Sequence, residues 1–315
     1  MIWIVISSAE SNMVETQLIC SELESRKIEY RLMLLGNINY VSHNNVFSFF
    51  YEGQPVELPT ICVNRMGVLG ATHWMLTALM SALETSGVVC INNSSVIDDF
   101  GSKFKIAMAL QRDDLPTPDF LIYRSVADVP IVASTFKFPI IVKTFYGSFG
   151  NGIVKCDTPD DLRNLGKFLN LSAYVPLVIQ EFVDYKVGQD IRVLVIDNRI
   201  VGAMQRISPS SYKSNLTDSD AYAVPYDVDE KLIDVCNQLF SCKDLGIVGI
   251  DLLITPDGYK ICEINISPGF KYFNKFCNRQ FEKDIVDYLE KLHKEYNVYQ
   301  INQRKPSTSR QTVTT

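Results

Sequence analysis

Residues 249–269 read GIDLLITPDGYKICEINISPG, and the placement of charge within them decides how the chain is read. Residues 249–254 and 259–266 are β-branched and apolar-rich, the composition of two buried strands. Between them, Pro256-Asp257-Gly258 suits a three-residue hairpin loop. Pro fits the first position of a type I turn, Asp the second, and Gly the left-handed residue that closes a bulge. That loop pairs Thr255 with Tyr259. Counting outward, Leu253 faces Ile261 and Asp251 faces Glu263, while Asn265 shares that face two residues on. Directly opposed residues have Cβ atoms roughly 4.5–5.5 Å apart, and like charges there repel. Two facing carboxylates in an apolar strand pair therefore call for a shared proton or a cation. With no His or Cys on the face, Asp251, Glu263 and the amide oxygen of Asn265 form an all-oxygen set suited to Mg²⁺. A pair of acids on the wet face of a sheet is the competing reading, and the rest of the chain has to decide.

The 315 residues leave room for two domains, without excluding one large one. At 47% apolar and 21% charged the composition is that of a globular chain, so a packed core is expected. A net charge of −6 and a pI near 5.2 argue against a general nucleic-acid binder. The eight cysteines are irregularly spaced with no C-x-x-C pair, and Cys62, Cys90 and Cys262 sit in apolar context. Free thiols in a reducing compartment are the expectation. His43, His73 and His293 are too scattered for a zinc cluster. The opening MIWIVISSAE lacks the basic start of a signal segment and reads as a first buried strand. No stretch approaches the ~20 apolar residues of a membrane span. A soluble, cytoplasmic protein with neither nucleic acid nor membrane as partner follows.

Residues 1–96 alternate strand and helix, the pattern of a small parallel α/β unit. No G-x-G-x-x-G follows the first strand, so a dinucleotide site has no support there. SSVIDDFGSKFKIAMALQRDDLPTPDF, residues 94–120, reads as a helix closed by its two prolines, with Ser102 as a candidate N-cap. From residue 119 strands dominate, interrupted by helices at about 158–170, 228–242 and 280–296. The polar end, RKPSTSRQTVTT, reads as disordered.

Two further stretches carry chemistry. In FPIIVKTFYGSFGNGIVKC an apolar strand ends in Lys143, a turn with Gly147, Ser148, Gly150 and Gly152 follows, and a strand resumes. P-loop and dinucleotide patterns need a helix after the glycines. A Gly-rich hairpin can still close backbone N–H groups over phosphate oxygens, with a lysine supplying charge. A plain mobile hairpin with a snorkelling lysine stays open beside it. In IQEFVDYKVGQDIRVLVIDNRIVGAMQR, Gln180, Glu181, Phe182 and Val183 end one strand, Asp190 and Arg192 begin the next, and Arg206 closes a third. Asp190 and Arg192, two apart on one strand face, also fit a surface ion pair.

Taken in order, a helix carrying Lys103, the Lys143 hairpin, QEFV, DIR, an arginine and then D…E-x-N resemble the ATP-grasp superfamily. Within it the chain is similar to the RimK-like carboxylate–amine ligases. The resemblance runs from the first strand to about residue 293. It implies an α/β and α+β ATP-grasp fold with an N-terminal Rossmann-like pre-ATP-grasp domain. The implied divisions are 1–96 for that domain, 97–185 for the central subdomain with its lid, 186–296 for the C-terminal subdomain with the metal site, and 297–315 for a disordered tail.

The resemblance also implies roles. Lys143 and Lys103 would hold ATP phosphates under the lid of Gly147, Ser148, Gly150 and Gly152. Glu181 would meet the adenine amino group, the backbone at Phe182 and Val183 the ring edge, and Asp190 the ribose hydroxyls. Asp251, Glu263 and Asn265 would hold two Mg²⁺ ions, with Mn²⁺ an alternative and Glu263 bridging. Arg206 would stabilise the transferred phosphoryl group. One departure stands out. The family follows its arginine with Arg-Ser-Asn and a glycine pair, whereas this chain has Lys213-Ser214-Asn215 and no such pair. Lysine keeps the charge and loses the bidentate fork, which bears on the inference of substrate.

The implied reaction is ATP-dependent formation of an amide or peptide bond through an acyl phosphate. An amino acid, commonly glutamate, would be joined to a carboxylate on a peptide, protein or small molecule. Relatives form dimers or tetramers, which is analogy alone. Two rival readings remain: a nucleotide-binding regulatory protein on the same fold, and a phosphoryl transfer that stops at a phosphorylated product. Arg65, at a strand end of the first domain, is a candidate carboxylate reader, with a structural salt bridge as the alternative.

Overall fold

The computed structural model describes residues 1–7, 14–66, 72–145, 152–169, 176–216 and 220–304. Its first unit runs β1 (Ile2–Ile6), α1 (Val14–Ser25), β2 (Tyr30–Leu34), β3 (Ile38–His43), β4 (Val46–Tyr51), β5 (Gln54–Pro55), β6 (Ile61–Asn64), α2 (Thr72–Thr85) and β7 (Val89–Ile91). β1 and β6 are buried throughout, as strands covered on both faces must be. They form the middle of a parallel sheet ordered β2-β1-β6-β7. This is the parallel α/β unit that the alternating pattern led us to expect, and it fits the pre-ATP-grasp domain that the resemblance implies. FSFFYEGQPVEL, residues 47–58, reads as a hairpin and is part of an antiparallel meander, β3-β4-β5, packed through Phe49.

The single helix expected within 94–120 is two helices, α3 (Ser94–Phe100) and α4 (Lys103–Arg112). They part at Gly101, where a Cβ would lie 1.7 Å from His73 Cε1, so the chain can pass only without a side chain. Ser102 then caps α4, its Oγ accepting from Lys105 N at 3.2 Å. The Ser102 cap thus sets where Lys103 starts its helix.

The middle unit has β8 (Phe120–Tyr123), α5 (Val129–Thr135), β9 (Ile140–Thr144), β10 (Ile153–Cys156), α6 (Pro159–Phe168) and β11 (Leu177–Glu181). Its antiparallel sheet, ordered β10-β9-β11-β8, packs on α5 and α6 around a core of its own that includes Tyr123, Val132, Ile140 and Leu162. The third unit has β12 (Gln189–Ile196), β13 (Arg199–Ile207), β14 (Tyr222–Pro225), α7 (Glu230–Cys242), β15 (Ile247–Thr255), β16 (Gly258–Asn265), α8 (Lys271–Cys277) and α9 (Phe281–Arg304). Its sheet is ordered β14-β13-β12-β15-β16. One face packs on α7 and shares a core with the first unit, as Val193, Val248 and Leu239 cluster with Trp3 and Leu79. The other face is apolar at one end, where Leu194, Ile196 and Met204 meet Phe273 and Phe281.

α5 and α8 escaped the sequence pattern, being only 7 residues each. α9 runs to Arg304, past the domain end expected at 296; residues 305–315 of the expected disordered tail lie outside the described residues. Among the described residues no helix is long and apolar enough to cross a membrane.

Candidate active site

The hairpin that opened the reading places its acids together by a route different from the one counted out. The loop is two residues, Pro256-Asp257, with Thr255 opposite Gly258 and Leu253 opposite Lys260. The register then shifts between Asp251 and Leu252, leaving Cys262 as an extra residue, so Asp251 still lies opposite Glu263. One residue expected in the loop has moved into a bulge. The effect is local and chemical: both Cys262 and Glu263 now line the same cavity, although neighbours on a regular strand point to opposite faces.

That cavity, about 130 Å³, lies between the middle sheet and the third sheet. The middle sheet contributes Ile141, Lys143 and Ile153, then Gln180 and the Glu181–Val183 stretch after it; β12 and β13 contribute Asp190 and Arg206. The connection after β13 brings Tyr212, Lys213, Ser214 and Asn215, and the hairpin adds Asp251, Leu253, Cys262 and Glu263. Most of the residues singled out from sequence therefore surround one space. Gly188 is needed for the path into β12: its φ is +74°, and a Cβ there would meet Ser211 O at 2.4 Å.

Charge inside the cavity is ordered by the sheet. Asp190 on β12 lies opposite Arg206 on β13, and Arg192 opposite Asp251 on β15. Arg206 donates from Nε to Asp190 at 2.7 Å and from Nη2 to both Asp190 and Asp251, the latter at 2.9 Å. Arg192 forks onto Asp251 at 2.6 and 2.5 Å. The surface ion pair between Asp190 and Arg192 is thus corrected: each finds its partner across a strand, because directly opposed residues lie closer than residues two apart. Burial alone would raise the Asp251 carboxyl. Arg192 and Arg206 outweigh it and hold the group down to about 2. The same two aspartates raise Arg206 against the lowering effect of its burial.

The lysines reach in from the other side. Lys143, only 7% exposed, donates to Gln180 Oε1 and lies 3.5 Å from Cys262 Sγ. Burial pushes the Cys262 thiol up, with Lys143 opposing. Lys103 at the head of α4 stands 3.5 Å from Glu263. Its backbone N–H donates to Phe145 O at the end of the Lys143 strand. Glu181 accepts from Lys260 Nζ at 2.6 Å and from the Asp119 amide at 3.2 Å. Tyr212 O–H donates to Ile153 O at 3.2 Å, docking the Lys213-Ser214-Asn215 segment on β10. β9 and β10 do form the hairpin expected of a lid, with Gly152 at φ +72°; Gly147, Ser148 and Gly150 lie outside the described residues.

Arg65 is not in this cavity. It is 6% exposed, donates to Pro268 O at 3.2 Å and lies 5.9 Å from the Phe270 ring, and its burial lowers the guanidinium to about 10. Sequence reasoning passed over Gln180, which holds Lys143, and gave Arg192 the wrong partner. In both cases the available signal was a polar residue inside an otherwise apolar strand.

The residues present fit a divalent cation. Among the described residues no three His, Cys, Asp or Glu are placed to hold one; Asp251 and Glu263 line the cavity, and Asn265 is not among its lining residues. Asn265 follows Glu263 by two on the same strand, and its buried Nδ2 has no hydrogen-bond partner. Asp251 Oδ2 takes two guanidinium bonds and Oδ1 one, and each carboxylate oxygen has two lone-pair directions. An ion can therefore be met without unseating Arg192. The donor set is hard oxygen throughout, as Mg²⁺ and Mn²⁺ prefer.

Two antiparallel sheets gripping a cavity with the buried Lys143 on one side and an acid–arginine lattice on the other define an ATP-grasp enzyme. The chain belongs to the RimK-like ATP-grasp family, whose domain description matches residues 101–289. It is 30% identical over 221 residues to the coenzyme gamma-F420-2:alpha-L-glutamate ligase of Methanococcus maripaludis, covering 69% of this chain and 75% of that one. It is 26% identical over 296 residues to the probable alpha-L-glutamate ligase of Aeromonas salmonicida, covering 91% and 96%. Its fold matches the ATP-grasp ligase PsnB complexed with minimal precursor, Mg and ADP, with a TM-score of 0.68 at 19% identity over 93% of this chain and 98% of that one. The activity is accordingly that of an ATP-dependent carboxylate–amine ligase.

Proposed function

We propose that the enzyme joins an amino acid, with glutamate the first candidate, through its amine to a carboxylate on a peptide, protein or small molecule. The observation that carries this reading is the convergence of Lys143, Asp190, Arg206, Asp251 and Glu263 on one cavity between the two sheets. Such a lattice suits a polyphosphate, whose charge has to be neutralised at fixed points before a phosphoryl group can move.

In the proposed cycle ATP occupies the cavity, with its ring against Glu181, Phe182 and Val183 and its ribose near Asp190. Lys143 on β9 and Lys103 at the head of α4 meet the phosphates from the side opposite Asp251 and Arg206. Asp251, Glu263 and Asn265 would hold Mg²⁺, which supplies charge neutralisation between the phosphate oxygens. An oxygen of the acceptor carboxylate attacks the γ-phosphorus, the bond to ADP breaks, and an acyl phosphate forms. The amine then attacks the acyl carbon, phosphate departs with that oxygen, the nitrogen loses a proton, and an amide remains. Arg206, fixed by two aspartates through Nε and Nη2, keeps Nη1 for the transferring group. Lys213 and Asn215 complete the wall on the side where the family pattern has Arg-Ser-Asn. All eight cysteines are free, which suits a reducing cytoplasmic setting.

The test is ADP release by purified protein with Mg²⁺ and ATP, across a panel that crosses single amino acids with carboxylate acceptors and dipeptides. The expected hit shows a product mass equal to acid plus amine minus water, in step with ADP. Tight ATP binding with no release for any pair, peptides included, would favour the regulatory reading instead.

A further inference from the structure

The first unit touches the metal-ligand hairpin through a buried carboxamide that the reaction itself does not use. We propose that Asn92, between β7 and α3, is a positioning residue for Glu263 and Asn265 and acts by closing the open end of the β15–β16 hairpin. The proposal rests on the reading of Asp251, Glu263 and Asn265 as metal ligands.

The β15–β16 ladder ends at Gly249 opposite Asn265. Beyond that pair the two strands diverge, and Asn92 bridges the gap. Its Nδ2 donates to Ile247 O on β15 at 2.9 Å and to Ile266 O, the residue after β16, at 3.0 Å. Its Oδ1 accepts from Gly246 N at 3.0 Å and Ile247 N at 2.9 Å. The carboxamide has two donors and two lone pairs, so all of its capacity is spent on this one junction. It is 1% exposed, where an unmade bond is expensive. The fit is close: a Cβ on Gly246 would lie 3.0 Å from Asn92 Oδ1 and 2.8 Å from Ile91 Cγ2.

Two more buried residues of the same unit hold the next few residues. Arg65 donates to Pro268 O at 3.2 Å, and Glu15 accepts from Lys271 N at 3.3 Å. Asn265, immediately before Ile266, has a buried Nδ2 with no bond of its own, so its place depends on the backbone that Asn92 pins. Mg²⁺ demands near-ideal octahedral geometry at about 2.0–2.1 Å and tolerates little drift in its ligands. A strand end free to fray would spoil that geometry while leaving the fold intact.

The experiment is titration of Mn²⁺ into protein saturated with ADP, followed by electron paramagnetic resonance, for wild type, Asn92→Ala, Asn92→Asp and Leu23→Ala. Leu23, buried on α1 of the same unit, supplies a variant that loses stability without touching the hairpin. Asp251→Asn and Glu263→Gln run alongside. The expected result is Mn²⁺ binding weakened by about tenfold or more in both Asn92 variants, the range typical of residues that orient metal ligands. ADP affinity without metal should stay near the wild-type value, and Leu23→Ala should leave Mn²⁺ binding unchanged. If Asn92→Ala does not fold, the near-isosteric Asn92→Asp decides alone. Mn²⁺ binding in the Asn92 variants no weaker than in Leu23→Ala overturns the proposal. If instead Asp251→Asn and Glu263→Gln leave Mn²⁺ binding intact, the ligand assignment itself is wrong, and the proposal falls with it for that separate reason.

Discussion

At the scale of single residues, the site depends on a few groups whose freedom has been removed by their neighbours. Gly188 is one: replacement by Ala puts a Cβ into the Ser211 carbonyl at a positive φ, and should cost about 2 kcal/mol in a urea midpoint measurement. Arg192 is another, because its fork holds Asp251 charged and aligned. Arg192→Gln keeps polarity and loses the bidentate charge, so the Mg²⁺ concentration for half-maximal ADP release should rise several-fold while the ATP concentration for half-maximal rate changes little. Equal shifts in both would contradict a role at the metal ligands. The facing of Asp251 and Glu263 was legible in the sequence because the residue counted in the loop and the residue that enters the bulge cancel, and because like charges need a reason to face each other. The partners of Arg192 were not, since they lie on strands joined through long connections and only the assembled sheet order places them.

At the scale of elements, the strands were readable from apolar, β-branched runs and the long amphipathic helices from their spacing. The failures have physical causes. A break at Gly101-Ser102 divides α3 from α4, and what forces it is His73 on another helix, which no local pattern encodes. The residue that left the 256–258 loop for the Cys262 bulge changes no count between Asp251 and Glu263, so the pattern could not reveal it. α4 matters because it begins at Lys103. Ser102→Ala should lower stability by about 1 kcal/mol through the lost cap, and should weaken ATP binding more than a surface change at Met108, on the same helix and 46% exposed. Thermal melts and nucleotide titration of the two variants compare these directly.

At the scale of the whole molecule, the first and third units share their cores while the middle unit keeps its own. That division leaves the middle unit to carry Lys143 on the β9–β10 pair, opposite the sheet that holds Asp251 and Glu263. The order of the Lys103 helix, the Lys143 hairpin, QEFV, DIR, an arginine and D…E-x-N along the chain was enough to read the fold class. The molecule's internal bracing was not readable, because it rests on groups far apart in sequence. Lys243 at the end of α7 binds Asp99 and Asp113 at 2.7 and 2.8 Å, and Arg112 adds to both. Burial alone would raise these carboxyls, but the cations prevail and lower both. A lowered folded pKa means stability that is present above the unfolded value near ~3.9 and lost as pH falls through it. Urea midpoints should therefore be flat from neutral pH to about 5 and fall below about 4, and Lys243→Met should flatten that acid limb.

The central claim is that the facing acids of residues 249–265 are the metal site of a ligase, and ADP formation in Asp251→Asn and Glu263→Gln tests it most directly. With the best amino acid and acceptor pair and saturating Mg²⁺ and ATP, both variants should fold, keep ADP-release rates at least about a hundredfold below wild type, and form no condensed product. Wild-type turnover in either variant would contradict the assignment, and wild-type turnover in both would remove it.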